Sequence, residues 1–310
     1  MQLTRSFVAV VTLLAARPAL AERMSFAWPV PAKVVVTDRV RQGGTSATTR
    51  YEATLTKQGD GLALRLGKFE FLEVGGRDAR DPAIRKQLKG TLEVASALPT
   101  ILVSPEGRFL DVVDIEAMVD RILRSSTIPA KEKAALAKTL KAPAMVASMK
   151  SRSVEFWNVW VGLWTGADLE PGRTREVTIP VTMPNGAQVS RPVKISHQGP
   201  AGPPGNVHLS FESTLEAGAG QSKLRGTLQE AAKELVGPDG KEAGQEIEGL
   251  VLFSAGEVIT DPQTLKPAAA RSSRRTVVKM KGQPPRTEVE EHDYTFDWSG
   301  KTSKAPTAQR

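Results

Sequence analysis

Apolar and polar residues alternate over most of this chain, and a period of two marks strands with one buried face. Val34, Val36 and Val40 alternate with polar neighbours. After a Gly-Gly-Thr-Ser turn at 43–46, Tyr51, Ala53 and Leu55 do the same, and after Gln-Gly-Asp-Gly at 58–61 the rhythm continues at Leu62, Leu64 and Leu66. Strands joined by Gly-rich turns predict an antiparallel meander with one wet face. A strand pair broken near Pro99 is expected over 92–103. The Ser-Pro-Glu-Gly at 104–107 predicts a tight turn, because Pro presets φ and Gly permits the reversal.

The period then lengthens to three and four. Val112, Ile115, Met118, Val119, Ile122 and Leu123 trace an amphipathic helix ending near Ser125 and Ser126. Residues 131–141, rich in Ala, Leu, Lys and Glu, predict a second helix, with Pro129 suited to its first turn and Pro143 expected to end or kink it. A third helix, about 153–164, carries Phe156, Trp157, Trp160 and Trp164, and so holds most of the chain's 5 Trp.

Alternation returns at Val177, Ile179, Val181 and Met183, and Asn185-Gly186 is the strongest hairpin signal in the chain. Val189, Val193 and Ile195 make the returning strand, and Val207, Leu209, Phe211 and Leu215 another. Residues 218–249 are polar and Gly-rich, with a short helix expected at 228–235 and a turn at 238–240. Strands resume at 250–253 and 258–259, turn at 261–264, and continue near 274–281 and 287–298. In the last, His292, Tyr294, Phe296 and Trp298 share one face, with Glu291, Asp293, Thr295 and Asp297 on the other. Residues 300–310 are expected to be a disordered tail.

The fold class expected is mainly β with a helical insert (α+β). About ten strands form a curved antiparallel sheet or open half-barrel, and its concave face is covered by about three helices from an insert at about 111–165. Residues 22–299 form a single β-rich domain in this reading; two β domains joined by the helices is the alternative.

Two segments carry a family resemblance. One is Ile-Leu-Val-Ser-Pro-Glu-Gly-Arg-Phe-Leu-Asp at 101–111, a strand, Gly turn and strand leading into the helices. The other is Gly-Glu-Val-Ile-Thr-Asp-Pro-Gln-Thr-Leu-Lys-Pro at 256–267, followed by two long strands ending in Tyr294-Thr295-Phe296. This order of elements, over about residues 30–298, resembles uncharacterised bacterial secreted proteins and lipoproteins of a domain-of-unknown-function type. Their sheets resemble the curved half-barrels of lipoprotein carriers of the LolA and LppX type. The resemblance implies a sheet able to bind acyl chains and implies no catalytic residue. The chain departs from the lipoproteins in lacking the cysteine that is lipidated.

Composition adds a compartment. Arg5, an apolar run from Phe7 to Ala16, and small residues at Ala19 and Ala21 have the form of a bacterial signal peptide over residues 1–21, with a mature chain from Glu22. The apolar run is too short to span about 30 Å of hydrocarbon, so no transmembrane segment is expected in the mature chain. The expected location is periplasmic or extracellular, soluble and not lipidated. Without cysteine an exported protein has no disulfides and depends on its packed core. The net charge of +8 is not clustered as a nucleic-acid surface would be, and no nucleic-acid partner is expected.

The reactive residues form no motif. None of His197, His208 and His292 has a partner at metal-ligand spacing. His292 and Glu290 can share a strand face, which Glu291 and Asp293 cannot join. Ser254-Ala255-Gly256 lacks the leading Gly of a nucleophile elbow, because Leu252 stands there. Gly300-Lys301-Thr302 lacks the first Gly of a phosphate loop, because Thr295 stands there. No catalytic residue, metal or cofactor is assigned. Trp157, Trp160 and Trp164, at i, i+3 and i+7, share one helical face. That face either packs the core or walls an apolar ligand pocket, and the three are the candidate ligand-binding residues.

The expectation is an exported, non-enzymatic envelope protein that binds a lipid or other apolar small molecule between sheet and helices. The first alternative is an interaction module docking an envelope protein partner; the second is a hydrolase.

Overall fold

The structure, a computed structural model, describes residues 22–95, 97–125, 128–182, 188–217, 226 and 247–300. The signal peptide read at 1–21, the Asn185-Gly186 hairpin, the helix and turn expected within 228–240, and the tail from 301 lie outside the described residues.

The first meander is β2 (Ala32–Gln42), β3 (Thr45–Gln58) and β4 (Gly61–Val74), with the short β5 (Arg77–Asp78) folded back on β4. Helix α1 (Pro82–Ala95) leads to the hairpin β6 (Thr100–Val103) and β7 (Phe109–Val113). Helices α2 (Ile115–Ser125), α3 (Ala130–Leu140) and α4 (Pro143–Trp157) follow, and α4 runs into one π turn, Asn158–Gly162. The second meander is β9 (Thr174–Thr182), β10 (Gln188–Pro200), β11 (Val207–Ala217), β12 (Ile247–Thr260), β13 (Pro267–Met280) and β14 (Arg286–Asp297). A small separate pair joins β1 (Glu22–Arg23) to β8 (Asp168–Leu169).

Strand β14 pairs with β2, setting His292 opposite Val40 and Tyr294 opposite Asp38. The two meanders are therefore one open antiparallel sheet of 12 strands, running β7-β6-β4-β3-β2-β14-β13-β12-β11-β10-β9 with β5 beside β4. From β7 to β9 the sheet takes ten inter-strand steps of about 4.8 Å, or about 48 Å if it were flat. Helix α4, at about 1.5 Å per residue, is only about 22 Å long. It nevertheless contacts β7 at one edge and β9 at the other. The sheet is thus strongly curved, and α4 lies across the gap between its edges. At that edge β9 carries Pro180, which has no N–H to leave unpaired.

The helical region differs from expectation in three places. Residues 92–95 are the end of α1, not a strand. Val112 belongs to β7, and the helix begins only at Ile115, after Asp114 turns the chain with φ 63°. Helix α3 stops at Leu140, ahead of Pro143 as expected, but Pro143 also opens α4, ten residues earlier than the third helix was expected. A proline at the first helical position sacrifices no hydrogen bond, because that N–H has no partner within the helix.

The core lies between the concave sheet face and the stretch 157–164. Val34, Val36, Ala53, Leu55 and Leu64 on the first meander meet Val193, Ile195, Leu209 and Val258 on the second around the tryptophans. A smaller cluster, Val112, Ile115, Met118 and Val119 with Leu140, Val146 and Met149, holds the helices together. The turn at 104–107 closes as expected, with Gly107 N–H donating to Ser104 O at 2.9 Å. Gly107 has φ 85°, and a Cβ there would lie 2.5 Å from the Phe26 ring. Only glycine meets both demands.

Candidate functional site

The stretch 156–164 sorts its side chains to two sides. Trp157, Trp160 and Trp164 are all fully buried. Trp157 stands edge-on to Trp28 at 5.7 Å and Phe26 at 5.9 Å, and its indole N–H donates to Gly107 O at 2.8 Å. Trp164 donates to Val159 O at 3.1 Å. Trp160 packs against Phe156, Tyr294 and Phe296. The π turn, in which Leu163 N–H reaches back to Asn158 O at 3.4 Å, adds a residue to one turn and shifts the faces that follow it.

Beside this aromatic cluster is a cavity of about 400 Å³. Its apolar wall is Phe156, Val159, Leu163, Ile179, Val193 and Phe211, with Leu98 at its border. The lining from the 156–164 stretch is therefore Phe156, Asn158, Val159 and Leu163, and the candidate tryptophans stand behind it, with Trp160 backing Phe156 at a ring separation of 4.1 Å. Leu98, 40% exposed, is one of the few large apolar residues open to solvent among the described residues.

Charged groups from four elements meet along the rest of the lining. Arg152 and Glu155 come from α4, Arg191 from β10, Arg274 from β13, and Glu290 and His292 from β14. Arg274 and Glu290 are directly opposite in the β13–β14 register and pair at 2.9 Å, and Arg152 reaches Glu290 at 3.2 Å. His292 bridges two carboxylates: Nδ1 lies 3.1 Å from Asp38 on β2, and Nε2 lies 3.3 Å from Glu290. Burial alone would lower the His292 pKa, but hydrogen bonds to Asp38 and Glu290 overcome it and raise it to about 9. The imidazole is accordingly cationic, donating from both nitrogens. The His292 hydrogen bond, against the cost of burial and with Arg152 and Arg274 helping, lowers Glu290 to about 2. Asp38 moves the other way, because burial outweighs its contact with His292.

Arg191 is set apart from this network. Only 5% of it is exposed. Its Nε donates to Ser213 Oγ at 2.7 Å, and Ser213 in turn donates to Pro192 O. Its Nη1 is 3.7 Å from Glu155, while Nη2 is buried with no hydrogen-bond partner among the described residues. Sequence reasoning passed over this arginine, although a signal was present. Arg191 has the inward parity of Val189, Val193 and Ile195, a place where a charge is out of pattern.

The expected pairing of His292 with Glu290 on one strand face is present, and Glu291 and Asp293 face away, pairing with Arg41 and Arg271. His208 pairs with Glu257 at 3.0 Å. Among the described residues no group of His, Asp and Glu could hold a metal ion, and no described helix is long and apolar enough to cross a membrane. A broader hollow of about 960 Å³ lies on the other face of the sheet, lined by Arg39, Arg41, Lys194, Glu212, Glu257 and Arg271. It is shallow and polar and its charges are largely matched in ion pairs, so the apolar cavity is the better ligand site.

No family model matches this chain, and no curated protein matches it. Among solved structures it is similar to one described as lipid-protein interactions in lipovitellin, at 7% identity and a TM-score of 0.37. The match covers 94% of this chain and 27% of that one. At that score the likeness carries no weight for fold or ligand.

Proposed function

We propose that this protein is an exported, non-enzymatic envelope protein of bacterial type that holds a lipid or other apolar small molecule between its sheet and α4. The observation that carries the reading is the cavity, about 400 Å³ with an aliphatic and aromatic wall, inside the usual range of ligand sites of about 300–1,000 Å³. The form of residues 1–21 supports export. The non-enzymatic part rests on how the titratable groups are engaged: His292 is held between two carboxylates, and Glu290 between two arginines. With His292 titrating at about 9 and Glu290 at about 2, neither is poised near neutral pH as an efficient general acid or base is.

The test is a native mass spectrum of the protein produced from the full 310-residue sequence in a bacterial host and recovered from the envelope without detergent. A polypeptide beginning at Glu22, with a discrete added mass lost on organic extraction, is the expected result. An unprocessed cytoplasmic chain overturns export. A bare mass that persists after incubation with phospholipids and fatty acids overturns the ligand-carrier reading in favour of a protein-docking module.

A further inference from the structure

Within the carrier reading, on which this inference rests, we infer that the ligand is a single-chain amphiphile whose acidic head, a carboxylate or phosphate, is taken by the buried guanidinium of Arg191 while its chain lies along Phe156, Val159, Leu163 and Ile179. The apolar wall alone would suit any hydrocarbon. Arg191 makes it selective. A guanidinium presents five donors in a planar fork that matches a carboxylate or phosphate edge. Here Nε is taken by Ser213, Nη1 has only a long contact to Glu155, and Nη2 has no partner among the described residues. Burying a charged donor without a partner is costly, so such groups are rare in native proteins. A head group at Nη1 and Nη2 supplies what is missing.

The balance of charge agrees. The cavity is lined by Arg152, Arg191, Arg274 and His292 against Glu155 and Glu290. Adding Asp38 behind His292 still leaves one more cation than carboxylates. Glu290 already receives Arg152, Arg274 and His292, so it does not compete for Arg191. Glu155 does compete, at 3.7 Å from Arg191 and 3.6 Å from Arg274, but it is half-exposed and can turn outward when an acid enters. Ser213, itself in the lining, holds Nε and fixes the plane of the fork. Arg191 is thus a positioning anchor on a sheet strand, where rigid placement favours recognition.

The experiment compares three probes of equal chain length on the delipidated full-length-derived protein by calorimetry: laurate, lauryl phosphate and lauryl alcohol. One or both acids should bind at least about tenfold more tightly than the alcohol, as expected for a charge-assisted hydrogen bond in a dry site. Whichever acid is the tighter identifies the head group. In Arg191→Met the preference for acid over alcohol should vanish while the alcohol still binds, and Arg191→Lys should restore part of it. Alcohol and acids binding equally well to the unaltered protein overturns the inference and leaves the carrier reading standing. None of the three binding overturns both. The comparison of probes on the unaltered protein decides the matter even if Arg191→Met fails to fold.

Discussion

The two sides of residues 156–164 are made from one short stretch of chain, yet they pack unlike regions. On one side Trp157, Trp160 and Trp164 have no exposed surface and meet other aromatic rings at separations of 4.1–6.1 Å. On the other, Phe156, Val159 and Leu163 border a cavity rimmed by charge. The largest side chains fill the core and the middle-sized ones leave room. An indole buries about 150–250 Å², and here all three are closed in by neighbours, so the cavity wall falls to the residues beside them.

The comparison is broken most sharply on the dry side. Trp157→Ala should cost about 3–5 kcal/mol of stability, as truncation of a large buried aromatic does. It also strands the Gly107 carbonyl that accepts the indole N–H. Urea unfolding measures it, and ligand affinity of the folded fraction should be unchanged. A loss below about 1 kcal/mol would show that the aromatic side is as loosely filled as the cavity side. Gly107→Ala is expected next in size, at about 1–3 kcal/mol, from the left-handed φ and the clash with Phe26. A lowered urea midpoint with an unchanged slope is the expected signature.

On the cavity side the response is to pH. His292 titrates at about 9 against its ordinary 6.5, so its stabilisation is complete below about pH 6.5 and is lost as pH rises through about 9. Glu290 titrates at about 2 against 4.5, so its share is complete above about pH 4.5 and is lost as pH falls through about 2. Asp38, raised by burial, acts oppositely on the acid side and offsets part of that share. The two main shifts share the His292–Glu290 contact, so their contributions are not summed. His292→Gln should flatten the alkaline limb of the stability profile between about pH 6.5 and pH 9 and shrink the acid limb to the share that Arg152 and Arg274 hold on Glu290. An alkaline limb that survives in His292→Gln assigns it to another group.

How far the sequence disclosed this arrangement depended on the range of the interaction. Alternation at Val34 and Val36, at Tyr51, Ala53 and Leu55, and at His292, Tyr294 and Phe296 is a local signal, and those strands and faces are as expected. The turns at 104–107 and 261–264 are equally local, the second closed by Thr264 donating to Asp261 at 2.7 Å. Helix α1 was illegible because its sequence, PAIRKQLKGTLEVA, has few strong apolar positions and a Gly in the middle. The role of Pro143 was ambiguous because proline both ends helices and begins them, and only the tertiary path selects between these. The site itself was the least legible part. Asp38 and His292 are separated by 254 residues and Arg191 and Ser213 by 22. No periodicity joins them until the register of β2 with β14 and of β10 with β11 is fixed.

The smallest effect on stability is expected where the cavity itself is filled, and it separates the two sides most cleanly. Leu163→Trp adds volume toward a space of about 400 Å³, so it should not incur the strain that overpacking imposes on a closed core. Its urea midpoint should correspond to a change within about 1 kcal/mol of the unaltered protein, in either direction. Val161, two residues away and fully buried in the dry core, provides the control: Val161→Leu adds much less volume but should cost about 1–3 kcal/mol, because no space receives it. Binding should move in the reverse order. Leu163→Trp should lose most of its affinity for laurate, since its ring occupies the path of the chain, while Val161→Leu keeps it. If Leu163→Trp destabilised more than Val161→Leu, the space beside Leu163 would not accept added volume, and the contrast between the two sides of this stretch would fail at its simplest point.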